Sequence, residues 1–139
     1  MKIAIDSDNT GEALKDKLVN YLRGHDYIVM DLKDGGQYPD VAFNLAQRVA
    51  MDEYDRGILI CGTGAGMAMM ANKVRGAWAG NCFDAEAAKH LSANNGAKII
   101  TLGCNFVSTF SAKHIIRVFL MTPTGDRPNA RRMRELAEE

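Results

Sequence analysis

One segment, residues 58–66, constrains the fold of this chain more than any other. It opens with the apolar run Ile58-Leu59-Ile60, which predicts a buried strand, and continues through Cys61 into a turn with glycine at positions 62, 64 and 66. A helix-favouring run, residues 67–73, follows. A strand, a glycine-rich turn and a helix N-terminus let backbone N–H groups approach an anion. The sequence therefore predicts an anion-binding turn, and a thiol at its edge that can act as a base or nucleophile.

Composition limits the classes of protein to consider. With 139 residues, 47% of them hydrophobic, we expect a single domain spanning residues 1–139. A net charge of zero argues against nucleic-acid binding, and no apolar run approaches the roughly 18 residues of a membrane span or resembles a signal peptide. The cysteines at positions 61, 82 and 104 have no CxxC spacing, so we expect no metal site and a reducing, cytoplasmic location.

The chain alternates strand-like and helix-like segments. Hydrophobic spacing predicts strands over residues 2–6, 27–32, 57–60, 77–81 and 98–102. It predicts helices over residues 12–23, 39–51 with Asp40 at the cap, 67–73, 84–93 with Asp84 at the cap, 108–121, and a charged segment after residue 128. This order predicts an α/β fold: a Rossmann-like, doubly wound, five-stranded parallel sheet in three layers, with a C-terminal helix.

Ligands of such sheets bind at the carboxyl ends of the strands. Polar residues follow the first strand (Asp6 to Asn9) and the third strand (Cys61 to Gly66), and Asn94 and Asn95 precede the fifth. We therefore expect these side chains to cluster at one edge of the sheet.

The glycines at 62, 64 and 66 match a dinucleotide-binding fingerprint poorly. That pattern requires a later glycine where this chain has Met67, and it belongs to the first strand with an acidic residue about 20 positions further on. Dinucleotide binding is therefore disfavoured.

Nearly the whole chain resembles the group formed by ribose-5-phosphate isomerase B and galactose-6-phosphate isomerase. The segments that carry the resemblance are Lys2-Ile3-Ala4-Ile5-Asp6-Ser7-Asp8, Tyr38-Pro39-Asp40, residues 55–66, Ala71-Asn72-Lys73-Val74, Gly125-Asp126-Arg127 and Arg131. The resemblance implies an isomerase that interconverts aldose and ketose sugar phosphates through an enediol, without metal or organic cofactor. It also implies a homodimer, or a dimer of dimers, with shared active sites.

The resemblance also implies roles for individual residues. Cys61 matches the proton-transferring base of the cysteine-using members, whereas members with a carboxylate six residues later have no counterpart here, since that position is Met67. Thr63 and the backbone of the turn match the donors to the enediolate oxygen. The positions that match substrate-binding sites are Asp8, Asn9, Gly62, Gly64, Ala65, Gly66, Asn95, Arg127 and Arg131, and Asn94 occupies a catalytic position.

Simpler interpretations of the same residues stay open. Asp8 is also suited to cap the helix that begins near Gly11, and the two arginines also fit a solvated basic face with Arg132 and Arg134. Cys82 and Cys104 are most simply core thiols.

Several positions depart from the family. Histidines common in the family are replaced by Asn9, Asn94 and Pro128, and Asn105 stands where many members have arginine. None of His25, His90 and His114 falls on a family site, although His90 lies one helical turn before Asn94.

The replacement at Asn94 bears on the substrate. The family's histidine there opens the ring of a cyclic sugar, and asparagine cannot transfer a proton near neutral pH. A four-carbon sugar phosphorylated on its terminal carbon has no free hydroxyl that could close a five- or six-membered ring. We therefore expect a tetrose or tetrulose 4-phosphate as substrate. The alternatives are a ribose-5-phosphate or galactose-6-phosphate isomerase, a subunit of a hetero-oligomeric one, and a non-catalytic sugar-phosphate-binding protein.

Overall fold

The computed structural model describes residues 1–139 and consists of alternating strands and helices. The strands are β1 (Lys2–Ser7), β2 (Ile28–Asp31), β3 (Arg56–Cys61), β4 (Ala79–Asn81) and β5 (Ile99–Gly103). The helices are α1 (Glu12–Arg23), α2 (Tyr38–Ala50), α3 (Ala65–Ala71), α4 (Ala85–Ala93), α5 (Thr109–Met121) and α6 (Pro128–Leu136). The predicted α/β fold is confirmed.

The strands form one parallel sheet in the order β2-β1-β3-β5-β4. The chain runs outward from β1 to β2, then returns to β3 on the other side of β1, so the strand order reverses between β1 and β3. The carboxyl ends of these two strands are where a fold of this kind places its ligands.

Helices cover both faces of the sheet, because its central strands are apolar on both sides. Alternate residues of β1 divide between two cores: Ile3 and Ile5 pack with α1 and α5, whereas Ala4 packs with α2 and α3. In β3, Ile58 and Ile60 belong to the first core, and Leu59 belongs to the second. The residue after Ile60 therefore points toward α2 and α3, and this residue is Cys61.

Of the two predicted helix caps, Asp84 and Asp40, the structure confirms one. The Asp84 carboxylate accepts the Ala87 N–H at 2.8 Å, which confirms it as the cap of α4. The prediction for Asp40 was wrong: α2 begins at Tyr38 with Gln37 as N-cap, and Asp40 lies in the first turn. Pro39 within that turn explains the earlier start, since proline fits the first positions of a helix, where no intrahelical N–H bond is needed.

The ends of the parallel strands define two opposite sides of the sheet, here called edges. The carboxyl edge is the side where β1 ends at Ser7, β3 at Cys61 and β5 at Gly103, and the amino edge is the side where these strands begin. None of the helices has the length and apolar character to cross a membrane.

Candidate active site

Cys61 ends β3 at the carboxyl edge, where the glycine turn folds back over its side chain. The thiol is buried, and Sγ accepts the N–H of Gly64 at 3.1 Å. Gly64 has a φ of +83°, and a Cβ there would collide with the Asn81 side chain. Glycine at 64 is therefore required for the N–H to face the sulfur.

The turn presents further N–H groups. Those of Gly62, Thr63 and Gly66 have no acceptor within the chain. The exposed Thr63 hydroxyl accepts the N–H of Ala65 at 3.2 Å, which leaves its own proton free to be donated outward. The arrangement offers donors to an oxyanion beside a thiol.

Asp8 and Asn9 lie beside this turn. The N–H of Asp8 donates to the Ile60 carbonyl at 3.3 Å, which places residue 8 next to the end of β3. One carboxylate oxygen of Asp8 accepts the Gly11 N–H at 3.0 Å, which closes the turn before α1, but the N-cap of α1 is Gly11 and no side chain caps this helix. Asp8 and Asn9 also line two hollows of about 320 and 440 Å³, so the bond to Gly11 does not remove Asp8 from a cleft.

A buried ion pair lies below Asp8. The Lys15 ammonium is 3.0 Å from the Asp31 carboxylate and 3.9 Å from that of Asp6. Burial raises the pKa of Asp6, against the opposing effects of hydrogen bonds from the N–H groups of Ser7 and Asp34 and of the nearby Lys15 charge. The end of β1 is thus fixed by charge as well as by packing.

Cys61 differs from the other two cysteines in its surroundings. Burial raises the pKa of Cys82 to about 11, and burial together with the nearby Asp8 carboxylate raises the pKa of Cys104. The Cys82 thiol packs in the apolar core, as predicted, whereas Cys104 is half-exposed near the Thr10 carbonyl. Met67, on the buried face of α3, is fully buried in the core and cannot titrate, so it does not compete with Cys61 as a base.

The remaining predicted residues lie at the opposite edge. Asn94 and Asn95 follow α4, which runs from the carboxyl edge back to the amino edge before β5 begins. The buried Arg56, the first residue of β3, donates to the Ser92 hydroxyl and to the Thr122 carbonyl, both at 2.9 Å. These bonds tie the end of α4 and the segment leading to α6 to the amino edge.

Arg127 and Arg131 belong to the same group. The N–H of Gly125 donates to the Ser92 carbonyl at 2.9 Å, so the start of α6 lies against the end of α4. Arg127 is the exposed N-cap of α6, and Arg131 donates to the Asp126 carbonyl at 2.9 Å. Pro128, which stands at a family histidine position, occupies the first turn of α6.

The prediction that Asn94 and Asn95 share one edge with the polar residues that follow β1 and β3 was therefore wrong. Asn94 and Asn95 precede β5, and a residue before a parallel strand lies at its amino end. The six residues of β3 separate the edges by roughly 16–20 Å at about 3.3 Å per residue. The candidate site residues of one chain thus fall into two groups, which we call the carboxyl-edge half (Asp8, Asn9 and Cys61 to Gly66) and the amino-edge half (Asn94, Asn95, Arg127 and Arg131).

His90 contacts the amino-edge half. Its Nδ1 lies within hydrogen-bond distance of the Asn94 amide, and its Nε2 is 3.3 Å from the Glu86 carboxylate. His25 and His114 are exposed and lie away from both halves. Helical spacing predicts that His90 and Asn94 lie one turn apart, but it does not predict that the imidazole contacts the Asn94 amide.

Comparison with known proteins identifies the family. The model of the ribose/galactose isomerase family matches residues 3–136. The chain belongs to this family. Two curated relatives are a D-erythrulose-4-phosphate isomerase of Pectobacterium atrosepticum (37% identity; 86% of this chain and 82% of the relative covered) and a ribose-5-P isomerase B of Listeria innocua (36% identity; 86% and 84%).

Solved structures agree. A ribose 5-phosphate isomerase of Thermotoga maritima superposes with a TM-score of 0.92 over 99% of this chain and 98% of its own, at 37% identity. The two relatives and the solved structure described above are sugar-phosphate isomerases by name, and this chain is a sugar-phosphate isomerase of the same family.

Proposed function

We propose that this chain interconverts the aldose and ketose forms of a four-carbon sugar 4-phosphate through an enediol(ate), with Cys61 as the base. The observation that carries the proposal is a buried thiol inside a turn of free N–H donors, in a chain with asparagine at the ring-opening position. The turn supplies the base and the oxyanion donors that an open-chain substrate needs, whereas position 94 has no side chain that could open a ring.

The proton transfer follows from this arrangement. The Cys61 thiolate takes a proton from the carbon next to the carbonyl, which forms the enediolate, and returns it to the former carbonyl carbon. The hydroxyl proton on the first carbon passes to the former carbonyl oxygen, so carbonyl and hydroxyl exchange places and the thiolate is regenerated. Negative charge develops on the carbonyl oxygen, where the Thr63 hydroxyl and the turn N–H groups stabilise it. Asp8, with one carboxylate oxygen held by Gly11, accepts a substrate hydroxyl with the other.

We propose that Arg127 and Arg131 bind the phosphate, and that they do so in the site of a second copy. Arg127 is the N-cap of α6 and its carbonyl accepts the Arg131 N–H at 3.0 Å, so the two arginines adjoin at the start of this helix, where two Arg side chains can close on a dianion. A separation of roughly 16–20 Å between the edges exceeds the length of a four- or five-carbon sugar phosphate. An antiparallel pairing of two chains brings the carboxyl-edge half of one to the amino-edge half of the other, and a two-fold axis makes two such sites.

In that shared site, Asn94 and Asn95 reach the substrate hydroxyls from the second chain. The Asn94 amide donates to His90 Nδ1 when His90 Nε2–H is directed to Glu86, so its Oδ1 is left to accept a hydroxyl proton. This assignment uses Asn94 for orientation and not for acid catalysis.

One observation favours a pentose phosphate as a second candidate substrate. His90 contacts Asn94 from one helical turn earlier, so an imidazole stands beside position 94 and is itself the acid for ring opening in this alternative. Sequence identity does not decide between the two, since the erythrulose-4-phosphate and ribose-5-phosphate relatives are 37% and 36% identical to the chain.

The experiment is a comparison of kcat/KM for the purified chain alone on erythrulose 4-phosphate, ribose 5-phosphate and galactose 6-phosphate. We expect the four-carbon substrate to be preferred by about 10²-fold or more, the order of effect that a missing general acid imposes on cyclic substrates. A preference for either cyclic sugar would overturn the substrate assignment. Activity only after addition of a second, related chain would indicate a subunit of a hetero-oligomer, and binding without turnover would indicate a sugar-phosphate-binding protein.

A further inference from the structure

The glycine turn rests on two polar side chains that line neither of the hollows beside Asp8. Thr101 lies in the middle of β5, fully buried, in the otherwise apolar stretch Ile99-Ile100-Thr101-Leu102. Asn81 is the last residue of β4 and the register partner of Thr101. A buried hydroxyl costs stability unless it finds a partner, so its partners indicate what it does.

Both side chains bind carbonyl groups of the turn. The Asn81 amide donates from Nδ2 to the Thr63 carbonyl at 3.2 Å. The Thr101 hydroxyl lies 2.8 Å from the Gly64 carbonyl and 3.1 Å from Asn81 Oδ1, so its one proton is shared between the two acceptors. The contact with Oδ1 fixes which end of the Asn81 amide faces the turn.

One peptide group connects the Asn81 side chain to the sulfur of Cys61. The peptide between Thr63 and Gly64 is trans, as every peptide of the chain is, so its C=O and N–H point in opposite directions. Asn81 binds the carbonyl end, and the N–H end donates to Cys61 Sγ at 3.1 Å. A chain of contacts therefore runs from Thr101 through Asn81 and the peptide to the thiol.

We propose that Asn81 and Thr101 are positioning residues, which hold the Thr63–Gly64 peptide so that its N–H stays directed at Cys61. An N–H fixed in this way stabilises a negative sulfur more than a neutral thiol, and it needs no rearrangement when charge develops. The proposal rests on the function proposed for Cys61. The geometry around the sulfur, by contrast, does not depend on whether Cys61 is the base.

The test compares Asn81→Leu, Thr101→Val and Thr101→Ser. We expect Asn81→Leu to lower kcat about tenfold or more with KM within about twofold of wild type, because the turn loses a preorganised donor and no substrate contact. Thr101→Val, which keeps the volume of the side chain, loses about three- to tenfold, and Thr101→Ser restores the wild-type rate because it restores the hydroxyl.

A matched control is Asn72→Leu. The Asn72 amide makes two hydrogen bonds to the backbone of Ala79 at the start of β4, at 2.7 and 2.8 Å, and it does not touch the turn. Asn72→Leu removes two side-chain hydrogen bonds from β4, as Asn81→Leu does. If Asn72→Leu lowers the free energy of unfolding but keeps the wild-type kcat, the loss of kcat in Asn81→Leu is due to positioning and not to folding.

The second readout does not depend on turnover. Alkylation of Cys61 by iodoacetamide at fixed pH, followed by peptide mass spectrometry, reports the fraction of reactive thiolate. We expect the rate to fall about threefold or more in Asn81→Leu and Thr101→Val and to stay unchanged in Asn72→Leu. Cys82 provides an internal reference, since its pKa of about 11 keeps it protonated near neutral pH.

The outcomes separate the two proposals. Wild-type kcat and wild-type Cys61 alkylation in both Asn81→Leu and Thr101→Val would overturn the positioning role. Slowed alkylation in these variants, together with full activity of Cys61→Ala, would overturn Cys61 as the base and leave the positioning of its sulfur supported. If Asn81→Leu does not fold, the Thr101→Val and Thr101→Ser pair gives the same decision.

Discussion

The two half-sites are built by different means. In the carboxyl-edge half, the functional groups are a buried thiol and backbone N–H groups, and each is fixed by a strand end, a glycine or a buried side chain. In the amino-edge half, they are long or exposed side chains at the ends of α4 and α6, and Arg131 is held by Asp126 alone. The first half is thus held by many buried contacts within one chain, and the arginines of the second are held by few.

This difference matches what each half is proposed to do. Proton transfer between neighbouring carbons requires placement to within fractions of an ångström, which packed backbone provides. Capture of a phosphate requires charge and reach, which flexible arginines provide. We infer that chemistry depends on the carboxyl-edge half and affinity on the amino-edge half, and each prediction below tests that division.

The largest effect is expected in the carboxyl-edge half. Cys61→Ala and Cys61→Ser should each lower kcat by about 10²–10⁴-fold while KM changes little, because the base is lost and the binding groups remain. Steady-state kinetics measures this, with Asn72→Leu as a control for the stability of the fold. Near wild-type turnover of Cys61→Ala would exclude the thiol as the base.

An effect on KM is expected from the amino-edge half. Arg127→Ala or Arg131→Ala should cost about 2–5 kcal/mol of substrate affinity if the contact is desolvated in the assembled site. The loss should appear in KM, with activity on the dephosphorylated sugar as poor as before. Arg132→Ala, on the same helix but with its guanidinium 3.0 Å from the Glu135 carboxylate, is the matched control. An unchanged KM in the double variant would place the phosphate elsewhere.

A smaller effect is expected from Asn94→His. This change should raise kcat/KM on ribose 5-phosphate by about tenfold or more, because it supplies an acid for ring opening, and should not help a tetrulose 4-phosphate. The paired variant His90→Gln tests whether His90 itself supplies the acid for ring opening. A loss of ribose 5-phosphate activity in His90→Gln, with no gain from Asn94→His, would favour the pentose alternative.

The fold could be predicted because its signals are local. The apolar runs of β1, β3 and β5 and the cap at Asp84 each point to one structure, and the βα order leaves few topologies. Errors were confined to boundaries, where tertiary contacts decide: α2 starts at Tyr38 rather than Pro39, and β4 is shorter than its apolar run.

The candidate site could be predicted only in part. Glycine spacing located the turn around Cys61, because that turn is contiguous in sequence. The roles of Asn81 and Thr101 had no such signal, since they depend on strands that become neighbours only in the folded sheet. The error at Asn94 and Asn95 came from treating residues near a strand as equivalent, although those before a parallel strand and those after one lie at opposite edges.

In the proposed assembly, each active site takes one half from each of two chains. This sharing is tested by co-expressing Cys61→Ala with the Arg127→Ala, Arg131→Ala double variant under two affinity tags and isolating the mixed oligomer. Each parent is damaged in a different half, so a mixed pair contains one complete site and one site with both defects. We predict recovery to about a quarter to a half of wild-type activity, measured below KM, as symmetric pairing requires. Mixed oligomers no more active than their parents would contradict the account.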